Sequence, residues 1–366
     1  MNPAIPPRPG IMDINAYVAG DSKLSDVERI IKLSSNEGAF GPSPKAISAM
    51  QDAAVVMHRY PDGGASQLRK AIAKRFGLDA ARIVCGAGSD ELLSLLAYSY
   101  AGPGDEVLYT EHGFLIYPIA AKAAGATPVK TPETDFRTDI DALLNAVTDK
   151  TRIVFIANPN NPTGTYLSHA ELTMLRAGLP DDVLLVIDAA YAEFVGRNDY
   201  TAGVELVDAA EASGQNTVMT RTFSKMFGLG GLRVGWGYFP TEIADVLNRV
   251  RGPFNVSTAG QAAAIASLED LSFQEKCFEH NQTWIGKTEE ALHALGIDTT
   301  TSVANFVLAR FGETSTAQKA DGFLRERGII VRRVDSYGLP DCLRITIGTA
   351  EEMNAFIAAM RDFTGG

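Results

Sequence analysis

The chain is poor in the residues that would make it a disulfide scaffold, a metalloprotein or a membrane protein. Only three cysteines, Cys85, Cys277 and Cys342, occur in 366 residues. An odd number so widely spaced excludes a disulfide framework and fits reduced thiols in a cytoplasm. The five histidines are scattered, with no HExxH and no paired CxxC, so no metal site is expected. No apolar run approaches the roughly 20 residues that span a bilayer. The opening stretch MNPAIPPRPGIMDI lacks the continuous apolar core and cleavage pattern of a secretion signal. Positive charge is also in deficit: 33 Lys and Arg against 44 Asp and Glu leave a net charge of −11. Such a surface repels nucleic acid and anionic membrane. An anionic partner would have to be a small molecule drawn into a local cationic pocket.

What is present is ordinary globular composition, 46% hydrophobic and 21% charged, at a length that suits one large α/β domain and a smaller one. SPKAISAMQDAA and SQLRKAIAKRFG read as amphipathic helices, the first capped by Ser43 with Pro44 in its first turn. RIVCG is a short strand, and SDELLSLLAYSYAG a helix opening at Ser89. DEVLYTE, ATPVKTP, RIVFIANP, DVLLVIDAAY and NTVMTRTF read as strands, with helical stretches such as FLIYPIAAKAAG and SHAELTMLRAG between most of them. Alternation of helices with continuously apolar strands predicts a mostly parallel sheet buried on both faces. From about Thr258 the pattern changes to a long helical region, Ala259 to Leu295, then NFVLARF, a helix, IIVRRV, LRITIG and a final helix near Glu351 to Phe363. The expected organisation is an N-terminal arm that joins the small domain (1–42), a large domain (43–258) and a small α+β domain (259–366).

Doubly wound sheets bind ligands at the carboxyl ends of their strands. Here those ends carry Asn161 in NPNNPTG, Asp188 and Tyr191 in DAAY, and Thr222, Ser224 and Lys225 in TRTFSK. The Gly-rich turn GAGSDE opens a helix, whose free N–H groups suit an anion. Arg233 follows Lys225 by eight residues in a segment otherwise glycine and apolar. A cation taken out of water needs a partner, and the convergence of strand ends points to one shared anionic ligand. GAGSDE lacks the GxGxxG fingerprint, which argues against a nicotinamide dinucleotide and the dehydrogenase it would serve.

SSNEGAFGPSP, RYPDGG, GAGSDELL, NPNNPTG, DAAYAEF, TRTFSKMFGLGGLRVGWG and LRITIGT follow one another from about residue 15 to 355. In kind and order they resemble the motifs of the pyridoxal-phosphate-dependent aminotransferases of fold type I, most closely the histidinol-phosphate aminotransferases. The resemblance implies a mostly parallel central sheet flanked by helices, with a smaller α+β domain. It implies that Lys225 bonds covalently to pyridoxal 5′-phosphate, that Asp188 keeps the pyridine nitrogen protonated, and that Asn161 and Tyr191 hydrogen-bond the ring's phenolate oxygen. Thr222, Ser224 and Arg233, with the backbone at Gly88, Ser89 and Asp90, match the phosphate cup. Phe114 matches the ring-stacking aromatic, although an ordinary core role is equally open to it. Tyr60 matches a tyrosine that reaches the cofactor phosphate from a neighbouring subunit, which implies a homodimer.

Arg344 matches the arginine that pairs with a substrate carboxylate. Arg332 and Tyr17 stand where a substrate phosphate is held, with Arg333 the alternative to Arg332 because either could point inward on a strand. The implied reaction exchanges an amino group between L-histidinol phosphate and 2-oxoglutarate, in histidine biosynthesis. Aromatic amino-acid transamination and a threonine-phosphate-type decarboxylation are the alternatives on the same scaffold. A non-catalytic ligand-binding module is disfavoured by the joint presence of Lys225, Asp188, Tyr191, Asn161 and Arg344. Two departures fall on the substrate side: Asn36-Glu37-Gly38-Ala39 where the family often reads NENP, and EHGFLIY where many members have a Pro-Thr-aromatic run.

Overall fold

A computed structural model describes residues 5–16, 20–24 and 29–365. The strands used below are β1 (Ile31–Leu33), β2 (Ile83–Gly86), β3 (Glu106–Thr110), β4 (Thr127–Thr131), β5 (Thr151–Ala157), β6 (Leu184–Asp188), β7 (Thr217–Thr222), β8 (Gly235–Tyr238), β9 (Phe306–Arg310), β10 (Ile329–Val334) and β11 (Leu339–Thr346). Seven of them form the large sheet in the order β2-β8-β7-β6-β5-β3-β4. All neighbours in it are parallel except β8, which runs antiparallel to both β2 and β7.

The central strands are apolar without alternation because helices cover both faces. Every residue of β6 and of β7 is buried. One face packs Leu92, Leu93 and Leu96 of helix Ser89–Tyr100 and Tyr117, Ala120 and Ala121 of helix Ile116–Ala124 against Phe155 and Val186. Elsewhere Leu172 and Leu175 of helix His169–Gly178 cover Val154, Leu185 and Ile187. Helix Pro44–Ala53 starts as its sequence dictates: the Ser43 hydroxyl accepts from the Ala46 N–H and Pro44 occupies the first turn.

The smaller sheet runs β1-β10-β11-β9, extended by the two-residue strand Asp298–Thr299. Ile31–Leu33 pairs in parallel with Ile329–Val331, so a segment near the beginning of the chain becomes an edge strand of a sheet built from its end. Two expectations change. The helical region from Ala259 to Leu295 is two helices, Thr258–Glu269 and Leu271–Ala294, broken where Asp270 leaves helical geometry (φ −94°, ψ 67°). The Gly235-Trp236-Gly237-Tyr238 run, not read as a strand, is inserted as β8; added Cβ atoms on Gly235 and Gly237 would lie 2.2 Å from the Ser89 nitrogen and 2.3 Å from Phe239. Glycine is what lets this strand pass so close to the turn before helix Ser89–Tyr100.

Candidate active site

A cleft of about 280 Å³ opens at the carboxyl ends of β5, β6 and β7, with β10 and β11 on its other side. Its walls gather Asn36, Ser89, Asp90, Phe114, Asn161, Asp188, Tyr191, Thr222, Ser224, Lys225, Arg233, Arg332 and Arg344. Thirteen residues singled out from the sequence thus meet in one place, drawn from positions up to 308 residues apart.

Asp188 ends β6 with its carboxylate buried. Its Oδ2 accepts from the Tyr117 hydroxyl at 3.0 Å and its Oδ1 from Thr220 at 3.2 Å. No cation sits at hydrogen-bond distance among these contacts, and burial, aided by Asp90, pushes the carboxyl up to about 7. Across the cleft Lys225 is half-buried, and among the described residues its ammonium donates only to the Ser35 carbonyl, at 3.5 Å. Burial and then the Arg344 guanidinium push it down to about 8. Both groups are therefore held nearer neutrality than water would hold them. A carboxylate and an amine so placed are prepared for charges that a ligand supplies.

Tyr191 and Asn161 have their donor capacity aimed by neighbours. Asn36 Nδ2 donates to the Tyr191 hydroxyl oxygen at 2.9 Å, which leaves the phenolic proton free to be donated onward. Burial drives the Tyr191 phenol up to about 12, so it keeps that proton. Arg344 Nη1 donates to Asn161 Oδ1; arginine only donates, so this contact identifies the amide oxygen and leaves Nδ2 as the outward group. Arg344 also donates to the Ser34 carbonyl at 2.9 Å, and its buried Nε has no partner among the described residues. Asn36 itself is held in left-handed geometry (φ 54°) by Thr346, which accepts from its N–H at 2.9 Å and donates to its Oδ1 at 3.0 Å.

The anion cup is equally explicit. Thr222 donates to the Ser224 hydroxyl at 2.9 Å, and Arg233, in left-handed geometry, donates to Ser224 at 3.2 Å and to the Gly230 carbonyl at 3.0 Å. Arg233 Nη2 lies 3.4 Å from Asp90 in the first turn of helix Ser89–Tyr100. Gly88 does not line the cleft but permits it: a Cβ there would sit 2.3 Å from Arg233 Nη2. Register separates Arg332 from Arg333. Arg332 is the Cα partner of Arg344, so both share a face and both line the cleft, whereas Arg333 pairs with Asp335 at 2.5 Å.

Tyr60 is 82% exposed, outside the cleft, its ring stacked on Phe254 at 4.5 Å. Phe114 lines the cleft while packing edge-on to Tyr117 at 6.0 Å, so it serves both wall and core. Tyr17 lies outside the described residues. Sequence reasoning missed Tyr117, hidden in a helix that reads as core, and Thr220. The available signal was the hydroxyl itself, since a buried tyrosine needs a partner for it.

An amine, a carboxylate and two sets of anion-gripping groups at the carboxyl ends of a parallel sheet define a protein that holds a small molecule anionic at more than one point. The family model for class I and II aminotransferases matches residues 28–360, and the chain belongs to that family. It is 60% identical to a histidinol-phosphate aminotransferase of Paramagnetospirillum magneticum over 98% of each chain. It is 56% identical to one of Rhodospirillum centenum, over 98% of this chain and 99% of that one. The crystal structure of a histidinol-phosphate aminotransferase from Sinorhizobium meliloti, solved in complex with pyridoxal 5′-phosphate, superposes with a TM-score of 0.86 at 29% identity, covering 91% of this chain and 90% of that one.

Proposed function

We propose that this protein is a pyridoxal-phosphate-dependent transaminase that exchanges an amino group between L-histidinol phosphate and 2-oxoglutarate. The observation that carries the substrate assignment is the pairing of Arg332 and Arg344, Cα partners on adjacent strands that both face the cleft. A phosphate monoester carries close to two negative charges at neutral pH, and two guanidinium groups match it where an amino-acid carboxylate requires only one.

The residues fit the cofactor. Thr222, Ser224, Arg233 and the amides opening helix Ser89–Tyr100 form a cradle for a phosphate, and the buried Asp188 carboxylate meets no cation among its hydrogen-bond partners. When bound, the cofactor supplies an aldehyde for covalent attachment of an amine and a ring that takes up electron density as bonds at Cα break. Asp188 holds the ring nitrogen in its protonated form. Asn161 Nδ2 and the Tyr191 hydroxyl donate to the ring's phenolate oxygen. Lys225 Nζ, pushed down to about 8, would be the amine that holds the cofactor and, once freed from it by the donor's amine, the general base that takes the proton from the donor's Cα. Arg344 and Arg332 fix the anionic end of either substrate, so that both half-reactions use one orientation.

A second copy of the chain completes the site in this reading, with Tyr60 reaching the cofactor phosphate of its partner. The 82% exposure of Tyr60, together with exposed Val55 (79%) and Met57 (50%), supports a covered surface there. The test of the reading is a panel of amino donors with 2-oxoglutarate. Histidinol phosphate should give the highest kcat/KM, and Lys225→Ala should abolish both turnover and the visible absorbance of the bound cofactor. A higher kcat/KM for phenylalanine would favour the aromatic alternative, and carbon dioxide release without an oxo-acid acceptor would favour the decarboxylase.

A further inference from the structure

His112 lies in the turn between β3 and helix Ile116–Ala124, two residues before Phe114 and within the EHGFLIY segment that departs from the family pattern. Its Nδ1 is 2.7 Å from the backbone carbonyl oxygen of Tyr337. A carbonyl can only accept, so Nδ1 carries the proton and the contact is N–H···O=C. The two partners belong to different sides of the cleft. His112 is part of the turn that presents Phe114 from the large sheet; Tyr337 ends the short 3₁₀ helix Asp335–Tyr337 that follows β10, the strand carrying Arg332. Phe114, Tyr337 and Arg332 all line the cleft.

The turn is itself well anchored on the large-sheet side. The His112 N–H donates to Glu133 at 3.2 Å, its carbonyl accepts from Asn160 at 3.4 Å, and the Gly113 N–H closes back on the Thr110 carbonyl at 2.9 Å. The imidazole stacks on Phe136 with centroids 6.0 Å apart. Phe136 and Leu115 pack against the small-domain cluster of Leu308, Val334, Tyr337, Leu339 and Cys342. Apolar packing of this kind fixes a distance only loosely, since side chains slide; a directional hydrogen bond fixes both distance and angle. The His112–Tyr337 contact supplies that fixed point.

We infer that His112 is a positioning residue for the substrate: its Nδ1–H ties the wall carrying Phe114 to the wall carrying Arg332, and so sets the width of the substrate side of the cleft. It touches neither Lys225 nor Asp188, whose own supports come from Ser35, Tyr117 and Thr220. Loss of the tie therefore weakens capture of the anionic substrate while leaving cofactor attachment and proton transfer intact.

This inference rests on the transaminase reading, and three variants of the cofactor-loaded enzyme test it separately. His112→Phe keeps a ring to stack on Phe136 but removes the donor. His112→Ala removes both. His112→Asn places an amide N–H close to the position of Nδ1. One neutral hydrogen bond is worth about fivefold, so the Phe and Ala variants should raise KM for histidinol phosphate by about fivefold or more. Their kcat should stay within twofold, with the visible absorbance of the bound cofactor unchanged, and the Asn variant should return KM to within twofold of the parent. The inference is overturned if the Asn variant is as impaired as the Phe variant, if the Phe and Ala variants match the parent, or if kcat falls while KM holds. Absence of turnover with histidinol phosphate in the parent enzyme would instead overturn the transaminase reading.

Discussion

Replacing Asp188 with asparagine should stabilise the cofactor-free protein at pH 8 while destroying its activity. The carboxyl is buried and pushed from 3.8 up to about 7, so the folded state binds a proton that the unfolded state has already released between these pH values. Stability associated with this group is fully present below pH 3.8 and is lost as pH rises through 7. A displacement of roughly 3 units at about 1.4 kcal/mol each puts the cost of holding the ionised carboxylate at pH 8 near 4 kcal/mol. Asparagine escapes that cost. Its amide N–H₂ must instead face a hydroxyl, Tyr117 or Thr220, that donates to the carboxylate, a mismatch costing about 1–2 kcal/mol. The net gain is about 2–3 kcal/mol, or about 3 °C in Tm for a chain of this length at about 2 cal/mol/K of unfolding entropy per residue. At pH 5 most of the cost has disappeared, and the two proteins should melt within about 1 °C of each other. Thermal melts of both apoproteins at pH 5 and 8 decide it. If Asp188→Asn melts below the parent at pH 8, the carboxylate is already compensated without the cofactor, and the assignment of Asp188 as a waiting counterion fails.

The other expectations are simpler. Gly88→Ala, at a position with φ 87° and ψ 165° where a Cβ would meet Arg233 at 2.3 Å, should raise the Kd for pyridoxal phosphate about 10- to 100-fold by displacing a charged donor; an unchanged Kd in a fluorescence titration would refute the cup. Arg332→Ala should raise KM for histidinol phosphate by at least tenfold, whereas Arg333→Ala, whose partner Asp335 is 41% exposed, should change it less than twofold; steady-state kinetics on the pair would expose a reversed assignment. Tyr60→Ala should weaken cofactor binding about tenfold without altering far-UV circular dichroism. Refolding it together with Lys225→Ala protomers should regenerate some sites of parental affinity, because each protomer supplies what the other lacks. No recovery on mixing would mean that Tyr60 serves its own chain.

The strand-end rule made much of the site legible. Asn161, Asp188 and Thr222 close apolar runs with polar groups that a buried strand cannot otherwise use, and Lys225 and Arg233 sit in a segment too apolar for idle cations. What stayed hidden was hidden for physical reasons. Tyr117 occupies a helix face with Ala120, Ala121 and Ala124, where an aromatic reads as filler until its hydroxyl is seen to meet Asp188. The lysine's resting partner is a backbone carbonyl, that of Ser35, which carries no residue signature. Strand β8 is half glycine, so neither β-propensity nor alternation marks it, yet close passage past Ser89 requires that composition. The choice between Arg332 and Arg333 needed the pairing with Arg344, since adjacent strand residues point opposite ways and sequence alone does not say which way is in.

The bond between Asn36 and Thr346 spans 310 residues. During synthesis, the asparagine that steers the Tyr191 hydroxyl waits for nearly the whole chain to leave the ribosome before Thr346 can fix its side chain. A nascent chain released short of Arg344 carries Lys225 and Asp188 but leaves Asn36 without its Thr346 anchor and lacks one of the two guanidinium groups that face the cleft. The substrate side of the site is thus complete only when the chain is nearly finished.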